Sequence, residues 1–325
     1  MKAPSVLLIA RFDDARHAHS AQRLRALERL GCRVSSWDPA SAPGPLRRLF
    51  GRDPTAQFLS AFQVSPPDLV LVVGDPGLER SLQDEARRAS KSSLWLNWFP
   101  DDRRTIDRAA ALATRYDRVF AIGSELMGRL SARTGRPAAL LPLAADPSVY
   151  RPVRSRDIYR ANVVFAGTAT PRREALLAGL VEFGLALWGP GWRATTLRDY
   201  CRGEMLRTDA YVKACNGATV AINIHHRDEL GEAEASCNQR VFELAAMGVA
   251  QLVDARDDLP SYFEPDRDLV VYRTADELRE RVRDLLGDPS VPELLGANAR
   301  KAALASHTYM HRMRRLLDLL EAGSG

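Results

Sequence analysis

Apolar residues along this chain form short continuous runs, separated by longer segments in which they recur every three or four positions. Continuous runs are typical of parallel strands buried on both faces, and the longer spacing is typical of amphipathic helices. In the first half, the runs are SVLLIARF, CRVSSW, PDLVLVVG, SLWLNWF, DRVFAIG and AALLPLA. Strands that alternate with helices predict an α/β domain built on a parallel sheet.

Residues 143–157, LAADPSVYRPVRSRD, interrupt the alternation with two prolines and clustered charges, as is typical of a linker. The apolar runs then resume as ANVVFAGT, LALWG, TVAINIH, VAQLVD and DLVVY. The pattern therefore predicts two doubly wound, Rossmann-like parallel-sheet domains, residues 1–152 and 153–325. A ligand is expected in the cleft between them, at the carboxyl ends of the strands.

The composition is that of an ordinary globular protein, with 325 residues, 46% hydrophobic and 27% charged. The first residues lack the long apolar core of a signal peptide, and no apolar run is long enough to span a bilayer. These features predict a cytoplasmic protein without a transmembrane segment. Four cysteines without CxxC spacing predict neither a zinc site nor a disulfide framework.

The net charge is +5, and the arginines are dispersed, mostly over predicted helices. Solvated helix faces explain this pattern; a phosphate-bearing ligand and peripheral contact with an anionic membrane are the alternatives. Basic residues do not interleave with aromatic ones, so no nucleic-acid partner is expected. GxxxxGK[ST] is absent, and GxGxxG is absent from the first strand–helix turn, which disfavours ATPases and dehydrogenases.

The stretch CNQRVFELAAMG predicts a short helix with unusual polar chemistry at its start. Ser236 and Gln239 fit a capping box, which places the first free N–H groups where a phosphate binds well. Arg240 would add a charge-assisted hydrogen bond to a diphosphate. Glu243 would accept hydrogen bonds from two hydroxyls, such as a ribose diol. The alternative is a surface ion pair between Arg240 and Glu243.

Two further strand ends carry polar or glycine residues. Gly167 and Thr168 end one apolar run, where the backbone can approach a ligand closely. Arg172 and Arg173 begin the next helix, where a cation opposes the helix dipole and an anionic ligand would offset the cost. Asn223 ends another strand. These positions together predict binding of phosphate and hydroxyl groups.

Residues 160–320 resemble the C-terminal domain of GT-B glycosyltransferases, in particular the CgeB-like (spore-maturation-type) group related to retaining family-four enzymes. The motifs that carry the resemblance are VVFAGTATPRREALLAGL, LWGPGW, YVKACNGATVAINI, NQRVFELAAMGVAQLVD, LPSYFEPDRDLVVY and HTYMHRMRRLLDLL. In the first half, LLPLAADPSVYRPV resembles the run into the interdomain linker. The resemblance implies the GT-B fold, with the last helix crossing back to the N-terminal domain.

It also implies transfer of a sugar from a nucleotide-diphosphate donor, a UDP- or dTDP-sugar, to an acceptor hydroxyl. Retention, no metal and no cofactor are expected, and the leaving phosphate can take the acceptor's proton. The expected donor-binding residues are Gly167, Thr168, Arg172, Gly189, Trp192, Asn223, Asn238, Arg240 and Glu243. The expected catalytic residues are Arg240, Glu243, His17 and Asp101.

The acceptor is expected on the N-terminal domain, where polar residues follow two predicted strands. The acceptor-side residues are Asp14, His17, His19, Asp101 and Asp102. The alternatives are an N-cap for the aspartates and solvated loop positions for the histidines. The acceptor itself stays open between a glycan, a protein, a lipid and a small metabolite.

One position departs from the family pattern. Family-four enzymes carry a second glutamate eight residues before the first, and here that position is Ala235, next to Glu234. Asn238 is expected to take over part of its role. The departure favours an alternative, a non-catalytic GT-B-like nucleotide-sugar-binding or scaffold protein. A sugar epimerase that acts on the same nucleotide is a further alternative.

Overall fold

The computed structural model describes residues 3–12, 18–40, 54–99, 106–204, 207–225 and 235–322. The chain divides into two compact units, Met1–Pro142 with Tyr309–Gly325, and Leu143–Thr308. The boundary therefore falls after Pro142, ten residues before the boundary expected from the sequence, and the C-terminal segment groups with the first unit. In its described part, each unit contains a six-stranded parallel sheet, which confirms the predicted fold class.

The first unit has the strand order β2-β1-β3-β4-β5-β6. Its strands are β1 (Ser5–Ile9), β2 (Arg33–Trp37), β3 (Leu69–Val73), β4 (Leu94–Phe99), β5 (Arg118–Ala121) and β6 (Ala139–Leu140). Its helices, numbered along the whole chain, are α1 (Ala18–Arg29), α2 (Pro54–Val64), α3 (Arg80–Ala89), α4 (Ile106–Ala113), α5 (Ser124–Thr134) and α11 (Tyr309–Ala322). The central strands are almost wholly buried, whereas β2 lies at an edge and is largely solvent-accessible, as its polar sequence RVSSW requires.

A buried arginine ties the last helix to the first unit. Arg23 on α1 is 3% exposed. Its guanidinium lies 4.4 Å from the ring of Trp98 on β4 and 5.0 Å from the ring of Tyr309 on α11. Burial lowers the pKa of this guanidinium, and the two aromatic faces provide the cation–π attraction that offsets part of that cost. Arg312 of α11 also donates to the carbonyl of Pro142, at 2.8 Å.

The second unit has the strand order β12-β11-β10-β7-β8-β9. Its strands are β7 (Ala161–Ala166), β8 (Leu185–Trp188), β9 (Cys201–Gly203), β10 (Ala218–Asn223), β11 (Ala250–Asp254) and β12 (Val270–Tyr272). Its helices are α6 (Pro171–Ala178), α7 (Thr208–Asn216), α8 (Gln239–Met247), α9 (Ala275–Gly287) and α10 (Ser290–Ser306). The order reverses between β7 and β10, and ligands of open parallel sheets bind at the carboxyl ends of the strands at such a reversal.

Helix α8 packs closely against α10 in the second unit. It ends at Gly248, whose φ of 72° is in the left-handed region. Gly296 on α10 approaches so closely that a Cβ at this position would collide with the carbonyl oxygen of Gly248. The glycine of α10 thus sets the distance between the two helices. In the described part of the chain, no helix is long and apolar enough to cross a membrane.

We expect Gly296→Ala to destabilise the second unit by about 1–3 kcal/mol, because the added methyl forces two packed backbones apart. The control is Gly128→Ala on α5, where a Cβ meets no atom within 4 Å. There, alanine should stabilise by about 0.5–1 kcal/mol through helix propensity alone. Denaturant unfolding of both variants measures the difference. Equal effects of the two substitutions would contradict the close packing of α8 and α10.

Candidate functional site

Strand β7 is followed by Gly167, whose backbone is fixed by two hydrogen bonds. The carbonyl of Gly167 accepts a hydrogen bond from Trp192 Nε1 at 2.8 Å, and its N–H donates to the carbonyl of Trp188 at 2.8 Å. Gly189 has a φ of 125°, and a Cβ there would collide with the Gly167 carbonyl. Trp192 is fully buried. Gly189 and Trp192, both expected to bind a donor, thus position Gly167, and Trp192 offers no surface to a ligand.

Arg173 spans the reversal between β7 and β10. Its Nη1 donates to the carbonyl of Thr168 after β7, and its Nη2 to the carbonyl of Ile224 after β10, both at 2.9 Å. Thr170 caps α6 by accepting a hydrogen bond from the Arg173 N–H at 3.3 Å. Burial, with the nearby charges of Arg240 and Arg172, lowers the pKa of Arg173 to about 10. A cation is therefore fixed at the point where a ligand is expected.

Arg240 brings a second cation to the same place. Its guanidinium lies 5.6 Å from the ring centre of Phe165, and that of Arg173 lies 5.3 Å from the same ring. A Cβ on Gly167 would be 3.3 Å from Arg240 Nη2, so this guanidinium lies beside the bare end of β7. Among the residues that the structure describes, no carboxylate forms a salt bridge with Arg173 or Arg240. Two like charges held together favour an anionic ligand.

Arg172, the third cation, has a partner within the protein. Its Nη2 donates to Asp254 Oδ2 at 3.0 Å, and Arg256 Nη2 donates to the same oxygen at 3.0 Å. Asp254 lies at the end of β11 and is 2% exposed. Burial alone would raise the pKa of Asp254, but the hydrogen bond from His225 and the charge of Arg256 outweigh it and hold the pKa well below its ordinary value. Arg172 thus joins the start of α6 to the carboxyl end of β11.

His225 links this carboxylate to the start of α8. Its Nδ1 lies 2.6 Å from Asp254 Oδ1, and its Nε2 lies 2.9 Å from the backbone nitrogen of Asn238. Because a backbone N–H only donates, Nε2 accepts, so the imidazole is neutral and Nδ1 carries the proton. Burial lowers the pKa of His225 to about 4, against the opposing influence of Asp254. His225 lies two residues after the end of β10, and its position after a strand end predicts a place near the donor site.

The expected capping box at Ser236 is wrong. Asn238 is the N-cap of α8, and its Oδ1 accepts a hydrogen bond from the Val241 N–H at 3.2 Å. In a capping box the side chain of the third helical residue binds the N-cap N–H, but here His225 binds it. The side chain of Gln239 instead donates to the carbonyl of Ala144. The helix therefore begins two residues later than its sequence indicates.

Asn223 and Asn238 satisfy one another. Asn238 Nδ2 donates to Asn223 Oδ1 at 2.9 Å, and Asn223 Nδ2 donates to Asn238 Oδ1 at 3.2 Å. Asn223 is fully buried and Ala235 is 7% exposed. The asparagine pair joins β10 to α8, so both residues, expected to bind the donor, position the helix that carries Arg240. Most of the hydrogen-bonding capacity of Asn238 is used within the protein.

Glu243 lies on the buried face of α8. It is 6% exposed, so the alternative of a surface ion pair with Arg240 is wrong. Burial raises the pKa of Glu243, while a hydrogen bond with Tyr150 and the charge of Arg240 act in the opposite direction. Tyr150 comes from the linker predicted at 143–157, and no local pattern connects it with Glu243. The carboxyl group thus lies one helical turn after Arg240 on α8.

Most candidates on the acceptor side lie outside the described residues, as does Glu234. These candidates are Asp14, His17, Asp101 and Asp102. His19 is described; it lies in the first turn of α1 and is partly buried. Within the described ranges, no group of three or more His, Cys, Asp or Glu residues is placed to hold a metal ion.

Known proteins resemble this chain in sequence over part of its length and in structure over nearly all of it. Residues 172–318 match a family described as glycosyl transferase-like. No curated protein matches significantly. Sucrose-phosphate synthase from Thermosynechococcus elongatus is 14% identical with a TM-score of 0.68, over 98% of this chain and 100% of that one.

Two further structures have the same fold. Anabaena HepE, in complex with UDP and glucose, is 12% identical with a TM-score of 0.67, over 98% of this chain and 100% of that one. AviGT4, a glycosyltransferase involved in avilamycin A biosynthesis, is 15% identical with a TM-score of 0.65, over 98% and 97% of the two chains. The predicted GT-B fold and the predicted enzyme class, a glycosyltransferase, are confirmed.

We expect stability to fall as the pH drops from about 6.5 to about 4, because the unfolded histidine binds a proton at about 6.5 whereas His225 in the folded protein binds it near 4. The contribution of neutral His225 to the free energy of unfolding is fully present above pH 6.5, where it amounts to about 3 kcal/mol. His225→Gln should flatten this part of the profile, measured by denaturant unfolding at several pH values. His311→Gln, at an exposed histidine on α11, is the control. An unchanged slope in His225→Gln would contradict the neutral, buried imidazole.

Proposed function

We propose that this glycosyltransferase transfers a sugar from a UDP-sugar to an acceptor hydroxyl, with retention of configuration and without a metal ion. The observation that carries the proposal is the pair of arginines, Arg173 and Arg240, at the reversal between β7 and β10. The UDP and glucose named for Anabaena HepE support UDP over dTDP. The CgeB-like motifs favour that subgroup of retaining enzymes.

The diphosphate of the donor would bind between the two guanidiniums. Both present N–H groups that match phosphate oxygens, and the absence of a Cβ at Gly167 leaves room for the ligand beside them. The amino terminus of α8 would add the positive end of its dipole. As the glycosidic bond breaks, the diphosphate gains negative charge, and cations already fixed in place stabilise that charge without rearrangement.

The ribose would bind at Glu243. A carboxylate accepts two hydroxyl hydrogen bonds, and the diol of a ribose is spaced to donate both. Tyr150 orients the carboxyl group from the side of the linker. Burial raises the pKa of Glu243 and so disfavours the ionised carboxylate. Hydrogen bonds from the two ribose hydroxyls would stabilise that ionised form.

The departing phosphate would take the proton of the acceptor hydroxyl, so this mechanism needs no protein base. The roles of His17 and Asp101, the acceptor class and the cytoplasmic location stay predictions from the sequence. With a glutamate replaced by Ala235 and Asn238 engaged by Asn223, we expect the protein to hold the sugar itself through fewer charged contacts than the nucleotide.

Arg173→Gln and Arg240→Gln should each weaken UDP binding by roughly 10- to 100-fold, because each removes a charged hydrogen bond to phosphate. Neither should change the binding of uridine, which has no phosphate. Glu243→Gln should weaken the binding of both UDP and uridine, since both contain the ribose. Isothermal titration calorimetry measures all six combinations. Arg198→Gln, an exposed arginine paired with its neighbour Asp199, is the control. UDP binding at wild-type strength in both arginine variants would rule out the proposed diphosphate site.

UDP-glucose should be turned over at the same rate in EDTA as in Mn²⁺, since arginines carry out the charge stabilisation. The product released in the presence of an acceptor should keep the α configuration of the donor, as read from its anomeric proton coupling. A rate that requires Mn²⁺, or a β-linked product, would contradict the corresponding part of the mechanism while leaving the UDP site intact.

A further inference from the structure

The opposite edge of the second sheet carries a concentrated positive charge. Residues 151–160, RPVRSRDIYR, run directly into β7 at its amino-terminal end, whereas the candidate site lies at its carboxyl end. The segment holds four arginines and a single acidic residue. All four arginine side chains are exposed: Arg151, Arg154, Arg156 and Arg160. We call residues 151–160 the basic edge.

The basic edge is held firmly against α7 and β8. The Val153 N–H donates to Asn216 Oδ1 at 3.1 Å, and Ser155 Oγ donates to the carbonyl of Lys213 at 2.6 Å. The ring of Tyr159 stacks on Trp188, with 5.4 Å between their centres. Because alternate residues face the protein, the arginines between them are directed to solvent from a fixed backbone.

Three of these four arginines line two adjoining depressions, of about 510 and 530 Å³. Arg154 and Arg160 belong to both, and Arg156 lines the second. Asp157 forms a salt bridge with Arg160, at 3.2 Å. Within the described ranges, no carboxylate pairs with Arg154 or Arg156. The depressions therefore keep an excess of positive charge.

An apolar side chain stands among these cations. Ile158 is 60% exposed and lines the second depression together with Arg156 and Arg160. A binding site for a soluble phosphate compound does not require an exposed isoleucine beside it. A nucleic-acid site would be expected to present exposed aromatic rings on which bases stack. A bilayer with anionic headgroups satisfies both features, since it attracts arginines and accepts an apolar side chain between its lipids.

We propose that the basic edge binds the anionic headgroups of a phospholipid bilayer, with Ile158 inserted between them. The basic edge would then be the surface for the peripheral membrane contact that the net positive charge suggests. It does not depend on the nucleotide site, because the two lie at opposite edges of the sheet. Membrane attachment through this surface would hold the enzyme at a bilayer while leaving the carboxyl edge free for the donor.

The test is sedimentation of the whole protein with vesicles of phosphatidylcholine alone or mixed equally with phosphatidylglycerol. Wild-type protein should partition onto the anionic vesicles only, and less so as salt is raised. Arg154→Gln with Arg156→Gln should lower the partition coefficient by about 25-fold, at about fivefold for each arginine. Ile158→Ser should lower it by roughly fivefold.

Arg314→Gln with Arg315→Gln removes the same charge from exposed positions on α11 and serves as the control, with partitioning near wild type expected. UDP binding and thermal unfolding should be unchanged in every variant, which shows that the fold and the donor site are intact. Equal binding to neutral and anionic vesicles would overturn the proposal. A second result would also overturn it: the wild type fails to bind vesicles but binds pyrophosphate, and substitution of Arg154 and Arg156 abolishes that binding. This result would indicate a soluble phosphate ligand.

Discussion

A single buried carboxylate, Asp254, holds the candidate site together. It pairs with Arg172 and Arg256 and accepts a hydrogen bond from the Nδ1–H of His225. That hydrogen bond fixes the neutral tautomer of His225, whose other nitrogen binds the backbone of Asn238. The chain of contacts therefore decides where α8 begins, and with it where the helix presents its arginine and its glutamate. A buried charge in this arrangement is satisfied on every side, as its desolvation cost requires.

The neighbouring cations are arranged in the opposite way. Within the described residues, the guanidinium of Arg173 donates only to backbone carbonyls, and the guanidiniums of Arg173 and Arg240 both lie over the ring of Phe165. Burial, with the charges of Arg240 and Arg172, lowers the pKa of Arg173, so holding this cation in place opposes folding. Strain of this kind is common at functional sites, where the ligand supplies the missing interaction. Asp254 is fully paired, whereas no carboxylate in the described part of the chain forms a salt bridge with Arg173 or Arg240. This contrast separates the residues that build the site from those that meet the ligand.

The sequence predicts the architecture well because burial dictates it. Continuous apolar runs identify the parallel strands, and glycine identifies both the bare end of β7 at Gly167 and the end of α8 at Gly248. It predicts the roles of polar side chains less well, because residue type at a strand end does not reveal which way a side chain points. Asn223 and Trp192 face inward, and the start of α8 depends on His225 and Asp254, which lie 29 residues apart. Such contacts follow from tertiary structure and leave no local pattern.

The central claim is that the two arginines hold a diphosphate while Glu243 holds the ribose. A crystal structure of the protein with UDP tests it most directly. The account predicts phosphate oxygens within hydrogen-bonding distance of Arg173 and Arg240, and both ribose hydroxyls on the carboxylate of Glu243. A diphosphate bound away from both guanidiniums, with Glu243 still enclosed by the protein, would contradict it.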